Sequence, residues 1–333
     1  MTRVVSAGRF SAPIADLNTA HWDGNGGLLS RRRLQRKSWL YGGVFSERWI
    51  VGCAIIDAGL LGSAFIYIFD RETRQFTEHT AIRPLVFPAN FQPSPTAPWS
   101  FTSGQKSWRI QPLTNTAGWQ FEFTNGKSTD EIDVSFELQD NGASISALNN
   151  PPSSARAKSH RPFHYTHKLT GTPAQLRLHI NGVQHEVKGI SGVFDFTLGY
   201  PPRSTLWQWA SWTGQLDDGR QLSGNLVAQT LNGLENAVWL GNAEQVTAIA
   251  MPQAIFDYNP HDTMQPWRIR SADGRLDMQF VPEGARSEAI HLGILASDFT
   301  QPFGAFHGVW RNEDGSEHTL TGMGLVEQHR ALW

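Results

Sequence analysis

A single cysteine, Cys53, in 333 residues excludes an internal disulfide framework. It lies in the apolar run Trp49–Ile56, where a buried, inert thiol fits. Charge is also sparse. Asp, Glu, Lys and Arg make up 17% of the chain and the formal net charge is -2, which argues against a general attraction to nucleic acid or acidic lipid. The basic run Arg31-Arg32-Arg33, with Arg36 and Lys37, is short and reads as a solvated entry to a first strand. Long apolar runs are missing, because Asp57, Gly59 and Gly62 interrupt the longest, so no membrane span is expected. No apolar block follows Met1–Arg9, so no signal peptide is expected and a cytoplasmic location follows by default. The chain has no Walker loop, no dinucleotide-binding glycine fingerprint after a strand and no Gly-x-Ser-x-Gly elbow. The expectation is therefore ligand binding, or acid–base chemistry with no cofactor.

What is abundant is aromatic and turn-forming. There are 13 Trp and 19 Phe against 5 Tyr, which suits thick sheet cores, an apolar cavity or a carbohydrate platform. Asn-Gly or Asp-Gly pairs begin at 125, 141, 181, 218, 232, 273 and 314, and such pairs accept the positive φ angles of tight hairpins. Between them the chain alternates. Ile132, Val134, Phe136 and Leu138 share one face; Leu176, Leu178 and Ile180, and then Leu276, Met278 and Phe280, repeat the pattern. Period two with short turns predicts an all-β antiparallel sandwich or barrel. No long helix is evident, and residues 285–296 suit a helix or a strand. The polar, proline-led stretch 151–159 reads as a linker between two comparable halves.

Three segments carry a resemblance. The first is Trp39-Leu40-Tyr41-Gly42-Gly43-Val44 with Gly52–Asp57 and Ala64–Tyr67. The second is Gly192–Gly199 with Thr205–Ala210 and Gly224-Asn225-Leu226. The third is Phe303–Gly308 with Gly324–Trp333. Together they resemble the uncharacterised domain-of-unknown-function family 2804, over nearly the whole chain. The second segment also resembles, more distantly, the lipocalin-like group of carotenoid hydratases, tocopherol cyclase and pericyclase-type cyclases, through Gly192–Asp195, Trp207-x-Trp209 and Asp218-Gly219. That resemblance implies two lipocalin-like (calycin-type) antiparallel β-barrel halves: residues 1–150, a linker at 151–159, and residues 160–333. It also implies an apolar small-molecule partner.

Candidate chemistry follows from the residues. Asp195 is flanked by Phe194 and Phe196. In an apolar cavity it would make a general acid; otherwise it holds a sheet corner by hydrogen bonds. Asp57, before Gly59, reads as a turn residue. Trp207 and Trp209 share a strand face, Trp212 falls on the other, and the first two line a lumen or fill a core. Glu327 and His329 share a face near Trp333 and suit an acid–base pair or a structural bond at the barrel seam. Tyr200, Asn225 and His307 complete the candidate binding set, placed in the second half of the chain. The spacing of His160, His164 and His167 fits no metal template, so no metal is expected.

Three functions stay open. One is a cofactor-independent hydratase, isomerase or cyclase acting on an isoprenoid- or polyketide-like molecule, with catalytic Asp195, Glu327 and His329. Another is a non-catalytic carrier of an apolar ligand. The last is a carbohydrate-active β protein, which needs exposed tryptophans and a pair of carboxylates.

Overall fold

A computed structural model describes residues 7–17, 19, 30–84, 89–126, 131–149, 163–180, 182–229, 233–242, 245–292 and 295–333. The expected linker at 151–159, and His160, lie outside the described residues. One short helix, α1 (Arg31–Gln35), precedes the main run of strands. The strands, in chain order, are β1 (Gly8–Phe10), β2 (Lys37–Phe45), β3 (Trp49–Asp57), β4 (Leu61–Asp70), β5 (Gln75–Pro84), β6 (Ala89–Asn90), β7 (Trp99–Ser103), β8 (Lys106–Pro112), β9 (Gly118–Thr124), β10 (Ile132–Gln139) and β11 (Ile145–Asn149). There follow β12 (His164–Ile180), β13 (Val183–Gly199), β14 (Ser204–Leu216), β15 (Gln221–Ala228), β16 (Ala237–Gly241), β17 (Val246–Ala250), β18 (Ala254–Asp257), β19 (Trp267–Ser271), β20 (Leu276–Leu292), β21 (Leu295–Arg311) and β22 (Glu317–Leu332). The region 285–296 is thus strand, not helix.

These strands form two antiparallel sheets, one a nearly closed barrel and the other a half-barrel. The first runs β5-β4-β3-β2-β13-β12-β10-β9-β8-β7-β6, with β11 on β12 and β1 on β11; the second runs β17-β16-β15-β14-β22-β21-β20-β19-β18. The chain changes sheet between Gly199 and Ser204. Strands β12 and β13, which follow the expected linker, therefore belong to the first sheet, so the change of sheet does not coincide with 151–159.

Alternation explains both cores. Leu40 and Val44 of β2, Val51, Cys53 and Ile55 of β3, and Phe194 and Phe196 of β13 fill the first barrel. Ala210 and Trp212 of β14, Leu222 and Leu226 of β15, Met278 and Phe280 of β20, and Val326 of β22 fill the second. A third apolar layer joins the sheets: Tyr41, Phe45, Ile50, Ala54, Phe65, Tyr67 and Phe69 from the first meet Trp209, Val227, Phe303 and Leu325 from the second. Strands β2–β4 are thus covered on both faces. That is why Trp49–Ile56 reads as a continuous apolar run rather than an alternating one.

Two irregularities tune the contact. Gly171 interrupts the β12–β13 register at φ +69, and a Cβ there would collide with the Ser223 side chain of β15. A register shift between Pro282 and Gly284 in β20 reverses the parity of that strand. Before it, Met278 and Phe280 enter the second core; after it, Arg286 and Glu288 face the gap between the sheets.

The basic segment is not a solvated lead-in. Arg33, Arg36 and Lys37 are buried. Arg33 lies 2.7 Å from Asp57, and Lys37 donates to the Leu34 and Ala58 carbonyls, closing the C-terminal end of α1 onto the β3–β4 turn. Asp57 keeps its turn role by accepting from the Gly59 N–H, and it also pairs these cations. Cys53 is fully buried, and burial pushes its thiol up.

Candidate functional site

The gap between the two sheets widens toward one end into a cavity of about 640 Å³, within the range of small-molecule sites. Tyr41, Ala54, Phe65, Trp209 and Val227 of the apolar layer between the sheets line it. Its walls come from matching rows of residues. Lys168, Asp195, Tyr41, Ala54 and Phe65 are register partners across β12, β13, β2, β3 and β4. Opposite them stand Val227, Trp209 and Glu327 on β15, β14 and β22, then Gln301 and Arg286 on β21 and β20.

Three buried carboxyl groups line this space: Asp195 and Glu327, one from each sheet, and Glu235. Asp195 forms a 2.6 Å ion pair with Lys168 and accepts from the Trp39 indole at 3.2 Å and the Thr197 hydroxyl at 3.3 Å. Lys168 also lies 3.4 Å from Glu235 and 5.2 Å over the Trp209 ring. Burial alone would lower the Lys168 pKa, but Asp195 and Glu235 outweigh it and hold the ammonium above its ordinary value. On the facing sheet, Glu327 accepts from the Trp207 indole at 2.7 Å and the Gln301 amide at 3.1 Å. Desolvation pushes Glu327 up to about 7; its two N–H donors work in the opposite direction, and Asp195 adds to the rise. The two indoles that serve these carboxyls stack on each other, with Trp39 and Trp207 centroids 5.9 Å apart and planes inclined by 12°. The pair spans the gap, and each N–H serves a carboxyl of its own sheet.

Further polar groups orient the walls. The Tyr67 hydroxyl donates to the Gln301 side-chain oxygen at 3.1 Å, which turns the Gln301 N–H group toward Glu327. Tyr41 shares a 3.2 Å hydrogen bond with Tyr67, and burial raises its phenol pKa well above the ordinary value. Arg286 pairs with Glu78 at 2.9 Å and with Glu288, and its guanidinium lies 3.9 Å over the Phe65 ring. His329 contacts Ser297 at 2.8 Å, and burial depresses its pKa to about 3, which keeps the ring neutral.

Of the residues expected at a site, five line this cavity: Asp195, Trp207, Trp209, Glu327 and His329. Asp195 and Trp207 do not lie side by side on adjacent strands, because β13 and β14 belong to different sheets. They line the gap from opposite sheets, and Phe194 and Phe196, on the other face of β13, fill the first barrel. Glu327 and His329 share a strand face, but their nearest atoms are 3.9 Å apart, too far for a hydrogen bond. Asn225 stands behind the wall, accepting from the Trp209 indole at 2.7 Å and donating to the Glu235 carbonyl. Tyr200 packs edge-on against Phe163 in the first core, and His307 is exposed on β21; neither lines the cavity. His164 faces the cavity while His167 is buried between Trp119 and Phe194. Lys168, Trp39, Tyr41, Glu235, Gln301 and Arg286 were not anticipated. One signal for Lys168 was available: it is a cation beside the apolar and hydroxyl run Leu169–Thr172, whereas the other cation of β12, Arg177, lies near the exposed hairpin end.

The family descriptor Domain of unknown function (DUF2804) matches residues 3–333. The chain belongs to this family. Comparison with curated proteins by sequence gives no match. Among solved structures, kievitone hydratase from Nectria haematococca is similar at 12% identity and TM-score 0.53, over 88% of each chain. An AttH protein from Nitrosomonas europaea is similar at 14% identity and TM-score 0.46, over 88% of this chain and 92% of that one. CghA is similar at 10% identity and TM-score 0.46, over 97% of this chain and 94% of that one. The first of these likenesses shows a shared two-sheet fold. Among the described residues no helix is long and apolar enough to cross a membrane.

Proposed function

We propose that this chain is an enzyme that moves protons on an apolar small molecule, by hydration, isomerisation or cyclisation, using its own acid and base groups. One observation carries the reading: a buried carboxyl, Glu327, faces an aromatic-walled cavity across from a second carboxyl, Asp195, that is already paired with a cation. The two environments pull the groups toward different roles. Glu327, raised to about 7, holds its proton near neutrality and is the general acid. Asp195, bound to Lys168, Trp39 and Thr197, stays an acceptor and serves as the base or as the counter-charge to a developing cation. The stacked indole faces of Trp39 and Trp207 favour such a cation as well. In this assignment the acid is Glu327 rather than Asp195, and neutral His329 shapes the wall beside it. That a hydratase shares the fold makes the reading consistent with the architecture and does not assign it.

The carrier reading shares the cavity but needs no acid. The carbohydrate reading loses its premise, because no tryptophan among the described residues is exposed. The deciding experiment incubates the purified chain with a panel of isoprenoid alcohols and polyenes in heavy water. Mass spectrometry then follows solvent deuterium entering carbon positions. Deuterium incorporation that Glu327→Gln abolishes is the expected result. Tight binding of a panel member with no incorporation would leave a carrier.

A further inference from the structure

Among the described residues, the strand ends that line the cavity gather at one end of both sheets. Its outer residues are strand termini: Lys37 begins β2, Leu61 begins β4 and Gly199 ends β13, while Ser204 begins β14 and Leu332 ends β22. The mouth is therefore a slit between two lips, one from each sheet. The lips expose apolar side chains where a water-facing rim ordinarily carries polar ones. Ile82 on the first lip is 41% exposed, and Leu206 and Leu332 on the second are 41% and 37% exposed. All three line the cavity, so the apolar surface is continuous from the interior to the outside.

Arginines gather at the same end. Arg83 follows Ile82, Arg203 precedes β14, and Arg330 stands opposite Leu206 across the β14–β22 ladder. Arg32 is exposed on α1, which is tied to this end through Lys37 and the Ala58 carbonyl. One exposed acid, Asp298, lies on the second lip, opposite Arg330 across the β21–β22 ladder and 2.7 Å from His291, so the arginines named here outnumber it. A chain with a net charge of -2 thus presents a locally basic, apolar-tipped slit.

We infer that the mouth of the inter-sheet cavity is a docking surface for an anionic lipid membrane, from which an apolar ligand passes directly into the cavity. The apolar tips reach into the headgroup boundary and the arginines meet the lipid phosphates. Such docking spares an apolar molecule a passage through water. The inference rests on the cavity taking an apolar ligand and not on the proton chemistry assigned there.

The test is co-sedimentation of the full chain with phosphatidylglycerol-containing vesicles and with vesicles of phosphatidylcholine alone. Binding to the anionic vesicles that weakens with added salt is expected. Arg83→Glu with Arg330→Glu should reduce it by at least about tenfold, since each basic residue near an anionic surface contributes a several-fold effect. Ile82→Ser with Leu206→Ser should reduce binding to both vesicle types, with thermal melting showing that each pair of substitutions stays folded. Absence of vesicle binding would overturn the inference, as would binding unaffected by both pairs, or a dimer by light scattering that masks the slit. Loss of proton-transfer activity with vesicle binding intact would overturn only the proposed function.

Discussion

Replacing Glu327 by glutamine should change how stability depends on pH, in a direction set by burial. A carboxyl whose pKa rises on folding binds its proton more tightly in the folded chain. Its contribution is fully present below the unfolded value and is lost as pH rises through the folded one. For Glu327 that window runs from 4.5 to about 7, and the displacement corresponds to about 3 kcal/mol lost by the wild type across it. The amide introduced by Glu327→Gln does not ionise and loses nothing in the window. The substitution also places an amide N–H group against the Gln301 amide, which Tyr67 holds in place. That offset is about 1 kcal/mol and independent of pH. Neutral His164 and His329, depressed to about 4 and about 3, vary with pH in both proteins and cancel in the difference. Urea unfolding of both proteins at intervals through the window measures it. The variant should gain on the wild type steadily with rising pH and then level off. A difference that stays flat would show that Glu327 ionises as an ordinary carboxyl and would remove it as the acid.

Three other outcomes follow from the same geometry. Lys168→Met leaves Asp195 and Glu235 facing each other without their cation and should cost about 3–5 kcal/mol in unfolding free energy; an unchanged melting temperature would refute the pairing. Trp207→Phe keeps a ring against Trp39 but removes the N–H to Glu327, so the stability window of the carboxyl should extend to higher pH, as the same unfolding series would detect. Cys53, buried and with its thiol pushed up, should react with a thiol reagent only after denaturant unfolds the chain; rapid labelling of the native protein would contradict its burial.

Much of the architecture was legible because strands announce their faces. Alternation alone placed Trp207 and Trp209 together and Trp212 apart, and the structure keeps that division, with Trp212 in the second core. The hairpin dipeptides likewise marked real turns at Asp218-Gly219 and Asp273-Gly274. The change of sheet was harder to see. It falls at 200–203, in the short Tyr200-Pro201-Pro202-Arg203 connection rather than at a long polar stretch. A two-proline turn redirects a chain between sheets as effectively as a linker does. The basic segment misled for a different reason: its counter-charge, Asp57, arrives from the end of another strand.

The site was only half legible, and parity explains which half. Period two says which residues of one strand look the same way, but not which sheet they look at. Asp195, Glu327 and His329 were candidates because each is a polar residue on a strand face, yet nothing in the sequence set Glu327 opposite Asp195. The strand runs did hold a clue. Strands β2–β4 are apolar on both faces, so a second layer had to cover the face that Tyr41, Ala54 and Phe65 share. Their register neighbours on that face, Asp195 and Lys168, are then the polar interruption in an otherwise apolar contact. A buried ion pair in such a position gives weak stabilisation for its desolvation cost. In the proposed function the pair acts on the cavity it faces, by holding Asp195 as an acceptor opposite Glu327.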